Sequence, residues 1–290
     1  MAPVSLLHRS QADTSARALD ADWLGLCRRA VAAQRAIFDE VEGVEARTDY
    51  EGIGEGGDYA LVIDRRCEDA VFAELDVLAD AGGSFVAVSE ERGEVVFGDG
   101  GDVRVVIDPI DGSLNARRTI PSHSLSIAVA AGPSMDDVEF GYVYDFGARE
   151  EFVARRGEGA QLGEAPIAAR ESEGTLELVG LEAVKPELAL PVVEALQGQV
   201  YRLRSIGSIA ITVAYVAAGR LDGMVSLRPC RSVDAAAAQL IAREAGAEVA
   251  FGALSLAAAG LGIAERYPIA AAAGAAGLET LLAAQREGGS

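Results

Sequence analysis

One short segment constrains this chain more than any other: Arg104 to Asn115, RVVIDPIDGSLN. Together with Val103 just before it, this segment opens on the largely apolar stretch VRVVI, which reads as a buried strand that delivers Asp108 to its carboxyl end. Pro109 then fixes the backbone, Ile110 is forced into a turn, and Asp111 returns beside Asp108, followed by Gly112 and Ser113. Two carboxylates three residues apart on such a junction can share one divalent ion or bridge two. Gly112 lets the chain approach a ligand closely, and the N–H groups of Gly112 and Ser113 can receive a phosphate as a backbone nest does. The same residue types also make an ordinary turn. The strand in front favours a metal site, because carboxylates at the end of a buried strand are costly unless they bind something.

Composition narrows the chemistry further. With two histidines, His8 and His123, histidine-based metal sites lack raw material, so metal chemistry here must use carboxylates. Oxygen ligands select hard cations such as Mg2+ or Mn2+. The net charge of −20 argues against nucleic acid as a partner, since affinity for a phosphate backbone comes from Lys and Arg. Lys185 is the only lysine among 25 basic residues. Cys27, Cys67 and Cys230 are odd in number and widely spaced, which argues against a disulfide framework or structural zinc and for a reducing cytoplasm. The N-terminal residues lack the apolar run of a secretory signal, and the Ala-rich tract Ile263 to Ala284 is broken by Glu265, Arg266 and Pro268, so no membrane span is expected.

Periodicity predicts helices over about Arg17–Val44 and Asp64–Ala79, then strands at Ser84–Val88, Val95–Phe97 and Val103–Ile107, the last two joined by a hairpin-type connection through GDGGD. Leu125–Ala130, Phe140–Tyr144 and Glu151–Ala154 follow as an antiparallel meander. After Pro166, strand and helix alternate, with helices expected at Pro186–Leu196, Ser208–Ala218 and Val233–Ala245. The class is α+β, with two subdomains, 1–165 and 166–290, sharing an interface. Gly52 to Gly57 satisfies G-x-G-x-x-G, but no apolar strand precedes it and no βαβ unit frames it, so it reads as a loop rather than a dinucleotide site. His123 is assigned no role.

Two further segments place acids where chemistry can use them. Glu90-Glu91 follows the apolar Ser84–Val88 strand, and Asp234 opens an Ala-rich helix after Cys230-Arg231-Ser232-Val233. Alone, the first suits a solvated loop and the second a carboxylate stabilised at a helix N-terminus.

Together, Glu90-Glu91, Asp108-Pro109-Ile110-Asp111-Gly112-Ser113 and Asp234-Ala235-Ala236-Ala237 resemble the motifs of the inositol monophosphatase-like family of Mg2+-dependent, lithium-sensitive phosphatases, in the same order and over about Gly52 to Ala273. The resemblance implies a layered α/β/α/β/α sandwich, a homodimer, and two or three Mg2+ per site, with Mn2+ as a substitute. It implies Glu90, Asp108, the carbonyl of Ile110, Asp111 and Asp234 as metal ligands, with Asp64 reaching a third metal through water. Ser113, in place of the commoner Thr, would help Glu90 hold the attacking water. Gly112 and Ser113 would offer amides to the phosphate, with Asp111, Gly207 and Ser208 on the substrate side; Gly207 and Ser208, at the start of an apolar helix, equally suit a simple helix cap.

The departures are informative. Val233 stands where the family often has Trp, Ala238 where it often has Gly, and no lysine precedes Asp64. Leu227 stands where animal members have a substrate-contacting Glu, with Arg228 and Arg231 nearby. Arginines there suggest a substrate with additional anionic groups, in the manner of the archaeal-type branch acting on fructose 1,6-bisphosphate and inositol monophosphate. Salt bridges to surface acids are the alternative use of these two arginines. The segments Leu114–Arg117, Ile120-Pro121 and Gly141–Tyr144 point to the same branch. A small sugar or polyol phosphate is therefore the expected substrate. The alternatives are a 3′-phosphoadenosine-phosphate or NADP phosphatase of the same fold, and a non-catalytic regulator that binds divalent metal.

Overall fold

The structure, a computed structural model, describes residues 18–48, 50–53, 59–172 and 174–289. Of the glycine-rich loop, residues 54–58 lie outside the described residues. Its flanks β1 (Tyr50–Ile53) and β2 (Tyr59–Leu61) pair antiparallel.

Helices α1 (Trp23–Glu40), α2 (Gly43–Ala46) and α3 (Val62–Asp80) precede an eight-stranded sheet. Its strands are β3 (Phe85–Ser89), β4 (Gly93–Phe97), β5 (Arg104–Asp111), β6 (Ser124–Ala130), β7 (Val138–Asp145), β8 (Glu150–Arg155), β9 (Gly159–Leu162) and β10 (Ala165–Ile167). Their order is β10-β9-β8-β7-β6-β5-β3-β4. The meander appears as expected. The hairpin between Val95–Phe97 and Val103–Ile107 does not: β4 pairs antiparallel with β3, and β5 crosses to the far side of β3 and lies parallel to it. Burial explains the placement. Every residue of β5 after Arg104 is buried, whereas β4 alternates buried and exposed, so β5 belongs in the middle of the sheet and β4 at its edge.

Side-chain alternation along the central strands builds two cores. Ala87, Val105 and Ile107 face α1 and α3, packing with Trp23, Leu26, Phe72 and Leu75. Val88 and Val106 face the opposite way, toward α6 (Ile209–Ala217) and α7 (Ser232–Glu244). Beyond those helices lies a second sheet, β12-β11-β13-β17-β15, made of β11 (Leu176–Glu182), β12 (Val200–Arg204), β13 (Gly223–Ser226), β15 (Glu248–Ala250) and β17 (Ala270–Ala272). Met224 looks back to α6 and α7, while Val225 looks out to α5 (Pro186–Ala195) and α8 (Ala275–Glu287). The result is the expected five-layer α/β/α/β/α sandwich. A short ladder of β14 (Cys230–Arg231) with β16 (Arg266–Tyr267) precedes α7.

The alanine run Ala235–Ala238 has a packing reason. A Cβ at Gly141 on β7 would stand 2.6 Å from the carbonyl oxygen of Ala237, so helix and sheet meet backbone to backbone. Only small residues permit that approach, and it fixes where the helix points Asp234. Gly141→Ala is accordingly expected to destabilise the protein by about 1–3 kcal/mol, seen as a lower melting temperature; an unchanged melt would show that the contact has slack. No helix among the described residues is long and apolar enough to cross a membrane.

Candidate metal centre and substrate cavity

Asp108 and Asp111 both point into one site, which a regular strand would forbid. Residues three apart on a strand face opposite sides. Asp108 continues the face of Val106, toward α7. Opposite it, β6 pairs Ser126 with Asp108 and Ser124 with Asp111, so three steps along β5 match two along β6. This bulge returns Asp111 to the face of Asp108. Ile110 therefore lies in a bulged strand end instead of the turn expected from the sequence. Its N–H donates to Asp108 Oδ1 (3.0 Å), and its side chain is anchored with Phe38, Leu61, Ile63 and Cys67. Buried Gln34 donates to the carbonyl of Pro109, a position whose missing N–H the bulge tolerates.

Asp234, the third residue of α7, completes the group: ligand oxygens of Asp108, Asp111 and Asp234 all lie within 4.8 Å of one another, and all three residues are buried. Asp234 also accepts from the N–H of Arg231 (2.8 Å), closing the start of its own helix. Asp111 is held from the opposite side, accepting from the Ser208 hydroxyl and the Ala210 N–H (2.7 Å) at the start of α6. Ser208 is buried, caps α6 by accepting from Ile211 N–H, and so stands behind Asp111.

Glu90 and Glu91 follow β3, and Glu68 buttresses them by accepting from Ser89 Oγ and from Arg92 N–H and Nε. Glu90 reaches the aspartates through Arg231, whose guanidinium pairs with Glu90 and with Asp234 Oδ1 (3.3 Å). Asp64, in the first turn of α3, accepts from Leu61 N–H. Gly112 turns the chain after Asp111 at φ +90°, where a Cβ would stand 2.9 Å from the carbonyl oxygens of both Gly207 and Ser122. Gly207, at φ +85°, abuts Asn115, whose amide donates to the carbonyls of Ser122 and Ile206 (2.8 Å each). Ser113 is half-buried at the start of the short helix α4 (Ser113–Arg117).

Burial is the main force on these acids. It raises Asp64 to about 6, against the hydrogen bond from Leu61, and Glu91 to about 7, helped by the charges of Asp64 and Glu68. Glu90, Asp108 and Asp111 are likewise raised, first by burial and then by neighbouring acids: Asp234, Glu91 and Asp64 act on Glu90; Glu90, Asp111 and Asp234 on Asp108; and Asp234 and Glu182 on Asp111. Among the described residues, Asp64 Oδ1, Glu91 Oε2 and Asp108 Oδ2 are buried without a hydrogen-bond partner. The converging carboxylates of Asp108, Asp111 and Asp234, all buried and with Asp108 Oδ2 left without a partner, fit a hard divalent cation.

A cavity of about 490 Å3 opens on this group, its wall including Asp111, Asp234, Glu182, Lys185, Arg228 and Arg231. Three residues here escaped the sequence reading. Glu91 was quoted beside Glu90 and given no role. Glu182 accepts from the N–H groups of Ile206 and Gly207 (2.9 Å each) and holds the loop that faces Gly112; its signal was an acid at the end of an apolar strand, the signal used for Glu90. Lys185 was noted as the lone lysine and not placed at the site. His123, unassigned, is stacked on Phe146 and packed against Phe38, and burial lowers it to about 4.

A buried carboxylate centre for hard cations, opening on a cavity with a cationic wall, defines a metal-dependent enzyme for anionic substrates. A sequence model for the inositol monophosphatase family matches residues 25–289, and the chain belongs to that family, whose members are metal-dependent phosphoric monoester hydrolases. It is 34% identical over 238 residues, 78% of this chain and 83% of the relative, to the fructose-1,6-bisphosphatase/inositol-1-monophosphatase of Methanothermobacter thermautotrophicus. The Nus factor SuhB of Haemophilus influenzae is 32% identical over 222 residues, 74% of this chain and 80% of that one. A solved inositol monophosphatase-fructose 1,6-bisphosphatase superposes with a TM-score of 0.79 at 26% identity, covering 91% of this chain and 100% of its own.

Proposed function

We propose that this protein hydrolyses a small sugar or polyol phosphate, inositol monophosphate or fructose 1,6-bisphosphate, using two or three Mg2+ ions. The observation that carries the proposal is the convergence of Asp108, Asp111 and Asp234, of which Asp111 and Asp234 line the cavity. Glu90, Asp108, the Ile110 carbonyl, Asp111 and Asp234 would hold two ions, and Asp64 with Glu91 a third; Mn2+ suits the same oxygen donors. When bound, such cations activate water and neutralise charge on the phosphoryl group. The chain's own residues do the rest. Ser113 and Glu90 position the water, and the amides of Gly112 and Ser113 face the phosphate. Asp111, fixed by Ser208 and Ala210, cannot swing away, and Gly207 brings the substrate side close.

Lys185 and Arg228 line the same cavity as Asp111 and Asp234 and are partners for a second anionic group. Ala183, beside them, adopts φ +53°, a left-handed conformation costly for a residue with a Cβ, which marks this turn as held in place for use. Lys185→Ala is expected to raise KM for a sugar bisphosphate about tenfold, the share of one charge-assisted contact, and to leave a simple monoester nearly unchanged. Equal effects on both would detach Lys185 from substrate selection.

The main test is a phosphate-release panel with and without Mg2+ and Li+; release from none of the sugar, polyol or nucleotide phosphates would refute the proposal. A preference for 3′-phosphoadenosine phosphate or NADP would instead move the substrate to a nucleotide. The likeness to Nus factors favours one other reading, a regulator that binds metal without turnover, and folded, metal-binding protein inert on the whole panel would support it. On the leading reading, subdomains 1–165 and 166–290 contribute Glu90, Asp108 and Asp111 and Asp234 respectively, and the enzyme works as a cytoplasmic homodimer.

A further inference from the structure

We infer that Arg231 is a built-in placeholder for metal: its guanidinium binds Glu90 and Asp234, and a divalent cation taking those carboxylates releases it into the substrate cavity. The inference rests on the metal-binding part of the function proposed above and adds a moving part to it.

Arg231 contacts both acids at once, through Nη1 to Glu90 and Nε to Asp234. These acids come from distant segments, one after β3 and one opening α7, and the guanidinium joins them. Its charge favours the ionised forms of Glu90, Asp108, Glu91 and Asp64 alike, as a bound cation would. A guanidinium keeps its proton at any working pH, so it cannot make way for a metal by neutralising. It has to move.

The backbone of Arg231 has no such freedom. Cys230 and Arg231 are paired with Tyr267 and Arg266, and the Arg231 N–H is bonded to Asp234 Oδ2. That last bond closes the helix start through the backbone, separately from the guanidinium. Its destination is at hand, because Arg231 already lines the cavity beside Arg228 and Lys185. Metal uptake thereby exchanges two carboxylate partners of Arg231 for an anion in the cavity. Metal and phosphate should then strengthen each other's binding, and by linkage the coupling is the same in both directions.

The test is calorimetric titration of Mg2+ into chelator-treated full-length protein, with and without inorganic phosphate. Arg231→Gln is expected to bind Mg2+ about three- to tenfold more tightly than wild type, the size set by one or two lost ion pairs. Its metal-free form should melt lower, and phosphate should enhance Mg2+ binding less than in wild type. Arg228→Gln removes the same charge from the same wall but has no contact with Glu90 or Asp234 among those described, so its Mg2+ affinity should change little. Equal or weaker Mg2+ binding by Arg231→Gln, or an equal gain in Arg228→Gln, overturns the placeholder. Should Arg231→Gln fail to fold, the wild-type Arg231 Nε–H signal decides: it should lose its exchange protection on Mg2+ addition, and unchanged protection overturns the inference. Wild type that binds neither Mg2+ nor Mn2+ would instead sink the metal-centre reading itself.

Discussion

Asp234→Asn is expected to abolish Mg2+-dependent phosphate release, by at least about 1000-fold or roughly 4 kcal/mol of barrier, and to raise the melting temperature of the metal-free protein. Both effects come from one charge. Asp234 supplies one of the three oxygens that lie within 4.8 Å of each other, so its loss leaves the centre short of a ligand. The same charge adds to the upward push on Asp108 and Asp111, so its removal relieves a repulsion that Arg231, Ser208 and Ala210 offset only in part. Asn keeps the amide-accepting oxygen that receives Arg231 N–H, which confines the change to charge. The checks are a phosphate-release assay and thermal melts in chelator. Activity within tenfold of wild type removes Asp234 from the centre, and a lower metal-free melt would mean that its pairing with Arg231 outweighs the repulsion.

How far the sequence foretold this site depends on which residue is considered. Asp108 was legible because an apolar strand runs straight into it. That Asp111 joins it on the same face was assigned to a turn, and the actual device is a bulge, which local residue types do not reveal because it is defined by pairing with Ser124 and Ser126 on another strand. The β4–β5 hairpin failed for a related reason. GDGGD has the chemistry of a tight turn, yet the consecutive apolar residues Val105, Val106 and Ile107 already demanded burial on both faces, and that demand decided the topology. Ser208 was read both as a helix cap and as a substrate-side residue; the structure shows it capping α6 and gripping Asp111 with the same hydroxyl. Lys185 carries no local motif at all, and Glu182 carries only the acid-after-a-strand signal it shares with Glu90. They reach the cavity only because the second sheet is layered against α6 and α7, a tertiary fact.

The metal-free protein should be markedly less stable at pH 8 than at pH 5.5, by on the order of 10 °C in melting temperature, and saturating Mg2+ should close most of that gap. A carboxyl whose folded pKa is raised holds its proton in the folded chain while the unfolded chain has already released it. Between the two pKa values the folded state binds more protons, so stability falls as pH rises. For Asp64 the window runs from 3.8 to about 6, so most of its cost is incurred below pH 5.5; for Glu91 it runs from 4.5 to about 7, and between pH 5.5 and 8 the two together cost about 3 kcal/mol. Glu90, Asp108 and Asp111 push in the same direction. His123 opposes them: buried and lowered from 6.5 to about 4, it takes stability away as pH falls through that range, but it is one group against five. A cation binding the carboxylates holds them ionised without the repulsion, so its stabilisation should grow with pH and its uptake near pH 6 should release protons. Melts across pH 5.5 to 8 in chelator and in Mg2+ measure both slopes. A chelated protein that melts as high at pH 8 as at pH 5.5 would mean that the acids are already relieved by groups within the chain, Arg231 first among them.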